Sequence, residues 1–173
     1  SLQVSLAAWL LAVGGFSLDL WADRDLDVMG MRAEVRHNPL SDGSLSPRTG
    51  LAFSLLFLVA SLALTLALLP RALPAWLTIC LVVAGLAAHR FETPLARAIT
   101  LGLLQALYVW FGSLAGRPSV GLGLLAGMFF FAMLGGRGMT DIRDFPQDVD
   151  TPVQTLPKRY GIQRTAYLTA GAL

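Results

Sequence analysis

Charge is scarce in this sequence. Only 14% of its 173 residues are Asp, Glu, Lys or Arg, while 55% are hydrophobic. Soluble domains carry about 25% charged residues, so this balance excludes an ordinary water-soluble domain. Cysteine is almost absent. Cys80 stands alone in an apolar run, which excludes an internal disulfide or a thiolate metal site and reads as a small buried residue. Histidine is limited to His37 and His89, neither with a partner at ligand spacing; His37 is read as a solvated interface residue. The first 20 residues lack the basic start and small-residue cleavage site of a signal peptide, and run instead into aspartates.

Long apolar runs fill the space that charge leaves. A helix needs about 20 apolar residues to cross a bilayer, and five stretches approach that length: 2–20, 51–69, 74–89, 98–115 and 119–136. A sixth begins near residue 165. The chain opens and stops inside apolar segments, so it is expected to be a single transmembrane domain, residues 1–173, truncated at both ends. Tight connections at 71–73 and 116–118 predict antiparallel pairing of helices two and three, and of four and five.

Alternating crossings put the segments 21–50, 90–97 and 137–164 on one side. Of the 13 basic residues, 11 fall there, and only Arg71 and Arg117 fall on the other. The positive-inside rule makes that side cytoplasmic. All 11 acidic residues share it.

Eight of those acids form two clusters: Asp19, Asp23, Asp25 and Asp27, then Asp141, Asp144, Asp148 and Asp150. Carboxylates beside hydrocarbon are costly unless compensated, which makes them functional candidates. Asp19, Asp23 and Asp27 are spaced four apart and Asp141, Asp144 and Asp148 three and four apart; on helices, each set forms one stripe. Asp25 falls off its stripe and reads as solvated or arginine-paired. Pro146 is expected to interrupt or kink the second helix. Oxygen ligands without His or Cys favour Mg²⁺ or Ca²⁺ over zinc, and Mg²⁺ typically shares carboxylates with substrate phosphates. Two clusters are therefore suited to gripping a diphosphate, with Arg143, Lys158, Arg36 and Arg90 as candidate partners for its oxygens. Arg24 and Arg32 are read as neutralising the first cluster or anchoring at head groups.

These residues resemble the UbiA superfamily of intramembrane prenyltransferases. The family's Asn-x-x-x-Asp-x-x-x-Asp motif is matched by Asp19, Asp23 and Asp27, with Asp19 in the Asn position. Its Arg-Pro-Leu-x-x-Gly-x-x-Ser stretch is matched from Asn38 to Ser46, and its second motif with a trailing Thr-Leu-Pro by residues 141–161. The segment PLARAITLGLLQAL resembles the family's Leu-Lys-Arg…Leu-Gly stretch. The resemblance implies an all-α polytopic bundle, with about five complete spans and part of a sixth from a nine-helix fold. It also implies two Mg²⁺ ions, one held by Asp19, Asp23 and Asp27 and the other by Asp141, Asp144 and Asp148, with Asp23 and Asp144 central to catalysis. The expected reaction is transfer of an isoprenyl chain from a polyprenyl diphosphate to a hydrophobic acceptor, an aromatic ring of quinone-type biosynthesis. The expected setting is the lipid bilayer of a bacterial inner membrane, with no nucleic-acid partner.

Tyr108, Trp110 and Phe111, and Phe129, Phe130 and Phe131, could stabilise an allylic cation through their ring faces. Packing or lipid contact is the simpler reading, with Tyr108 the best individual candidate for catalysis. Gly121, Gly123 and Gly127 form a small-residue run suited to close helix approach. The competing functions are a cation- or proton-coupled transporter, whose acids should lie near mid-membrane, and another lipid-phosphate transferase.

Overall fold

The computed structural model describes residues 2–29, 39–88, 93–114, 119–149 and 154–173 and, of residues 26–29 and 147, the backbone alone. His37, His89, Arg32, Arg36, Arg90, Arg117 and Asp150 lie outside the described residues. Among the described residues, seven α-helices follow in chain order: α1 (Leu2–Met29), α2 (Pro47–Leu68), α3 (Leu73–Ala87), α4 (Pro94–Ser113), α5 (Val120–Asp148), α6 (Leu156–Tyr160) and α7 (Ile162–Ala172). One 3-10 turn, Pro70–Ala72, leads into α3. Among the described residues, five segments are long and apolar enough to cross a membrane, one in each of α1, α2, α4 and α5 and one, Pro70–Ala87, formed by the 3-10 turn together with α3. The protein is an all-α integral membrane bundle, as its sequence predicts.

Local chemistry sets the helix starts. Ser46, Thr93 and Ser119 each accept a hydrogen bond from the amide three residues on, supplying acceptors for first-turn N–H groups that have no helical partner. Pro47 and Pro94 occupy first helical positions, where a missing N–H costs nothing.

The ends of α1 and α5 extend past the apolar limits read from sequence, to Met29 and Asp148. Both aspartate motifs are therefore helical. Residue 146 does not interrupt α5, which continues through it. Pro146 sits in the last turn, where its missing N–H leaves the Ile142 carbonyl without a helical bond and only two helical residues follow it.

Packing is inverted relative to a soluble domain. The buried residues of α2 are Gly50, Ser54, Ser61 and Thr65, whereas Leu55, Leu56, Val59 and Leu66 face outward. Ser61 Oγ donates to the Ala7 carbonyl at 2.8 Å and accepts from Trp76 Nε1 at 3.1 Å, joining α1, α2 and α3 with one hydroxyl. Small polar residues serve this way in membrane bundles, where hydrophobicity does not drive helices together. The apolar core beside this network includes Leu11, Ile79, Val83, Leu104 and Phe111.

The close approaches lie elsewhere than the Gly121–Gly127 run. Among the described residues, a Cβ on Gly123 or Gly127 would meet nothing within 4 Å. One on Gly102 would lie 3.0 Å from the Phe130 carbonyl oxygen, one on Gly14 would lie 2.9 Å from Leu58, and one on Gly138 would strike Thr169 Oγ1. The small-residue pattern permits close approach, but among the described residues no neighbour comes within 4 Å of a Cβ at Gly123 or Gly127.

α1 packs along α2 and also touches α3 and α4, α4 packs along α5, and α5 along α7, while α1 and α5 make little direct contact. Antiparallel α4 thus connects the C-terminal halves of α1 and α5. Its first turn, at Arg97, reaches Asp23 of α1, and both aspartate stripes lie at that end of the bundle.

Candidate active site

On α1, Asp19 and Asp23 are half-buried. Asp23 Oδ2 lies 3.3 Å from Arg97 Nη2, a bond between helices 74 residues apart in sequence. Both side chains are about one-fifth exposed, so the pair is less screened by solvent than a surface ion pair. Arg97 was read from sequence only as one more basic residue on that side; its role depends on a tertiary contact. Asp25 points outward, paired at 3.4 Å with Arg24. Arg24 also lies 4.6 Å from the Trp21 ring centre and donates to the Trp21 carbonyl, so its charge is spent locally. Asp27 is one turn beyond Asp23 on the α1 backbone, its side chain outside the described set.

The loop after α1 closes on this end. Ser41 Oγ donates to the Arg24 carbonyl at 3.0 Å, and a Cβ on Gly50 would meet Leu40. The Asn-Pro-Leu signature, from Pro39 onward, is a compact turn with Gly43 at φ 78°, a conformation glycine adopts without cost.

On α5 the aspartates are buried, with Asp141 3%, Asp144 7% and Asp148 1% exposed. A buried carboxylate needs charge and hydrogen bonds around it. Arg137 Nε lies 3.0 Å from Asp141 Oδ1. Arg143 donates to both oxygens of Asp144, at 2.7 and 3.2 Å. The Leu156 amide donates to Asp141 Oδ2 at 3.0 Å, and Lys158 Nζ donates to the Asp148 carbonyl at 2.8 Å. Arg143 and Lys158, both expected near a diphosphate, are thus beside the second stripe. Arg36 and Arg90 are outside the described residues.

Tyr108 sits apart. It lies eleven residues along α4 from Arg97, roughly 16 Å at 1.5 Å per residue. Its hydroxyl is beside Gly15 of α1 and Val83 of α3 packs at the same glycine, on the side of α4 that faces the apolar core. Trp110, Phe129 and Phe131 face outward, and Phe111 is buried. Phe130 packs over Gly102.

A hard divalent cation suits this donor set, which consists of carboxylates with no His or Cys among them. Among the described residues no three such side chains converge on one point. Arginines compensate Asp23, Asp141 and Asp144 instead. The fit to Mg²⁺ is therefore one of chemistry and of stripe spacing.

Comparison with known proteins agrees with this architecture. The model of the UbiA prenyltransferase family matches residues 2–173. The chain belongs to that family. It is 30% identical over 180 residues to digeranylgeranylglyceryl phosphate synthase of Natronomonas pharaonis, covering 99% of this chain and 61% of that protein. The same enzyme of Methanothrix thermoacetophila is 26% identical, over 95% of this chain and 60% of its own length. A solved structure described as giving structural and mechanistic insights into the biosynthesis of digeranylgeranylglyceryl phosphate synthase in membranes has the same fold, with a TM-score of 0.74 at 21% identity. That match covers 99% of this chain and 60% of the solved one. The chain spans about three-fifths of the length of these relatives.

Proposed function

We propose that the protein transfers a polyprenyl group from an allylic diphosphate to a glyceryl phosphate lipid, within the membrane. The observation that carries this reading is the pair of helical carboxylate stripes at one end of the bundle, bordered by Arg97, Arg143 and Lys158. The expectation of an aromatic acceptor gives way to a glyceryl phosphate, because relatives matching nearly the whole chain are named for making digeranylgeranylglyceryl phosphate. Family membership also favours a transferase over the cation-coupled transporter. So does the placement of the acids at helix ends rather than mid-span.

When bound, Mg²⁺ would neutralise charge on the departing pyrophosphate, with Asp19, Asp23 and Asp27, and Asp141, Asp144 and Asp148, as its proposed ligands. Arg97, Arg143 and Lys158 donate to the diphosphate oxygens, with Arg36 and Arg90 as further donors. The allylic C–O bond breaks with its electron pair leaving on pyrophosphate. The acceptor hydroxyl oxygen then bonds to the allylic carbon, and its proton passes to a carboxylate of the cluster. Tyr108 packs between α1, α3 and α4 with its hydroxyl against Gly15, one turn of α1 from Asp19, which keeps it a candidate to face the allylic group. The carboxylate end faces the cytoplasm, on the strength of the 11 basic residues on that side. A bacterial inner membrane has no support from these relatives, which are archaeal.

The test uses the protein in membranes with Mg²⁺ and labelled geranylgeranyl diphosphate, offered either a geranylgeranylglyceryl phosphate or a hydroxybenzoate. Ether formation with the former, pyrophosphate release, and loss of both in Asp23→Ala and Asp144→Ala are the expected outcomes. Undiminished turnover in both variants would sink the site. Cation-driven uptake without any prenyl product would favour the transporter.

A further inference from the structure

We infer that Asp141 is a positioning residue and not a metal ligand: it clasps the 154–160 segment onto α5 and so sets Lys158 beside Asp148. The inference rests on the diphosphate reading above and withdraws one of its six proposed ligands.

Both oxygens of Asp141 are engaged by protein groups, Oδ1 by Arg137 and Oδ2 by the Leu156 amide. That amide is the first of α6, a donor with no partner inside its own helix. The preceding Thr155 makes no side-chain cap, although it is the residue placed to do so. Asp141 supplies the acceptor from across the turn. Leu156 and Pro157 are buried over this contact. Two residues further on, Lys158 reaches back to the Asp148 carbonyl, so the segment is tied to α5 at two points, Asp141 and Asp148.

Asp144 lies between those points and is held differently. Its recorded partner, Arg143, has a side chain 63% exposed. An exposed guanidinium can swing to a phosphate oxygen at little cost. A backbone amide cannot leave Asp141 without detaching the segment that carries Lys158. The two carboxylates share a stripe but differ in these partners, a backbone amide at Asp141 and an exposed side chain at Asp144.

Mn²⁺ titration of the purified protein in nanodiscs, read by electron paramagnetic resonance, separates the roles. Asp144→Asn should weaken Mn²⁺ binding about tenfold or more, while Asp141→Asn leaves it unchanged. Hydrogen exchange at the Leu156 amide should accelerate in Asp141→Ala and stay slow in Asp141→Asn, whose side-chain carbonyl still accepts. In Asp141→Ala the KM for the allylic diphosphate should rise at an unchanged Mg²⁺ requirement. Loss of Mn²⁺ affinity in Asp141→Asn equal to that in Asp144→Asn would make Asp141 a ligand and overturn the inference. If Asp144→Asn leaves Mn²⁺ binding intact, the metal reading fails instead. Leu156 exchange then still decides the clasp, which is overturned by equal protection in Asp141→Ala and the parent protein.

Discussion

On α1, Asp19 and Asp23 are half-buried and Asp25 turns outward against Arg24, whereas on α5 Asp141, Asp144 and Asp148 are all buried. The spacing along each helix is nearly the same, so the difference comes from what covers each stripe. α6 and α7 pack on α5, and the 154–160 segment is bonded to α5 through Asp141 and Asp148. On α1, Asp23 meets Arg97 of α4. Two motifs that look equivalent in sequence thus differ in burial, and in the proposed site they would be a fixed half and a more adjustable half. Substrate-linked movement should concentrate at α1 and α4.

The comparison is tested most severely at Asp144 and Asp23. Removing a charged group that acts in the transition state costs about 10²–10³ in kcat. Asp144→Ala should reach the upper part of that range, because its buried surroundings offer no substitute. Asp23→Ala should fall lower, since Arg97 is then free to meet a phosphate oxygen. Membrane-based turnover with labelled prenyl diphosphate measures both, and chelation of Mg²⁺ should match or exceed either loss. A larger loss at Asp23 than at Asp144 would reverse the assignment of fixed and adjustable halves.

Arg97 comes next. Arg97→Ala leaves Asp23 without its α4 partner and should raise the KM for the diphosphate about 10- to 100-fold, with a smaller change in kcat. Arg97→Lys should recover only part of this, because an ammonium does not reproduce the planar guanidinium fork. A kcat loss with unchanged KM would mean that Arg97 acts on the leaving group alone.

How much of this was legible beforehand depends on the range of the contact. Apolar runs gave the five spans, and spacing gave the stripes, because both are read along one helix. Partners that meet across helices were not legible. Arg97 reaches Asp23 over 74 residues, and Ser61 reaches Ala7 over 54. No local pattern marks either pair. The Asp141 clasp was hidden for the same reason, since its acceptor oxygens resemble those of any motif aspartate until Leu156 is placed. The helical reach of α1 and α5 was underestimated because hydropathy reports where a helix leaves the hydrocarbon, and helices continue beyond it. The proposed acceptor class rests on relatives and not on residues, since nothing in the stripes distinguishes a phosphate lipid from an aromatic ring.

A smaller effect probes what holds the fixed half in place. Gly138 of α5 lies against Thr169 of α7, and a Cβ there would strike the Thr169 hydroxyl. Gly138→Ala should cost about 1–3 kcal/mol, as overpacking does, and loosen α7 from α5. Thermal unfolding in detergent would show the loss, and truncating the obstacle in Gly138→Ala/Thr169→Gly should recover part of it. An unchanged midpoint would show that α7 adjusts freely and that α5 owes its rigidity to the 154–160 segment alone.

The smallest expected effect is at Gly127, also on α5 but with open space where its Cβ would stand. Alanine exceeds glycine in helix propensity by about 1 kcal/mol, so Gly127→Ala should raise the unfolding midpoint slightly or leave it unchanged, with turnover intact. The contrast with Gly138 is the informative part, because both substitutions add one methyl to the same helix. If Gly127→Ala destabilised the protein as much as Gly138→Ala, a neighbour would have to pack against that face in the membrane, and the small-residue run would regain the close-approach role its pattern suggested.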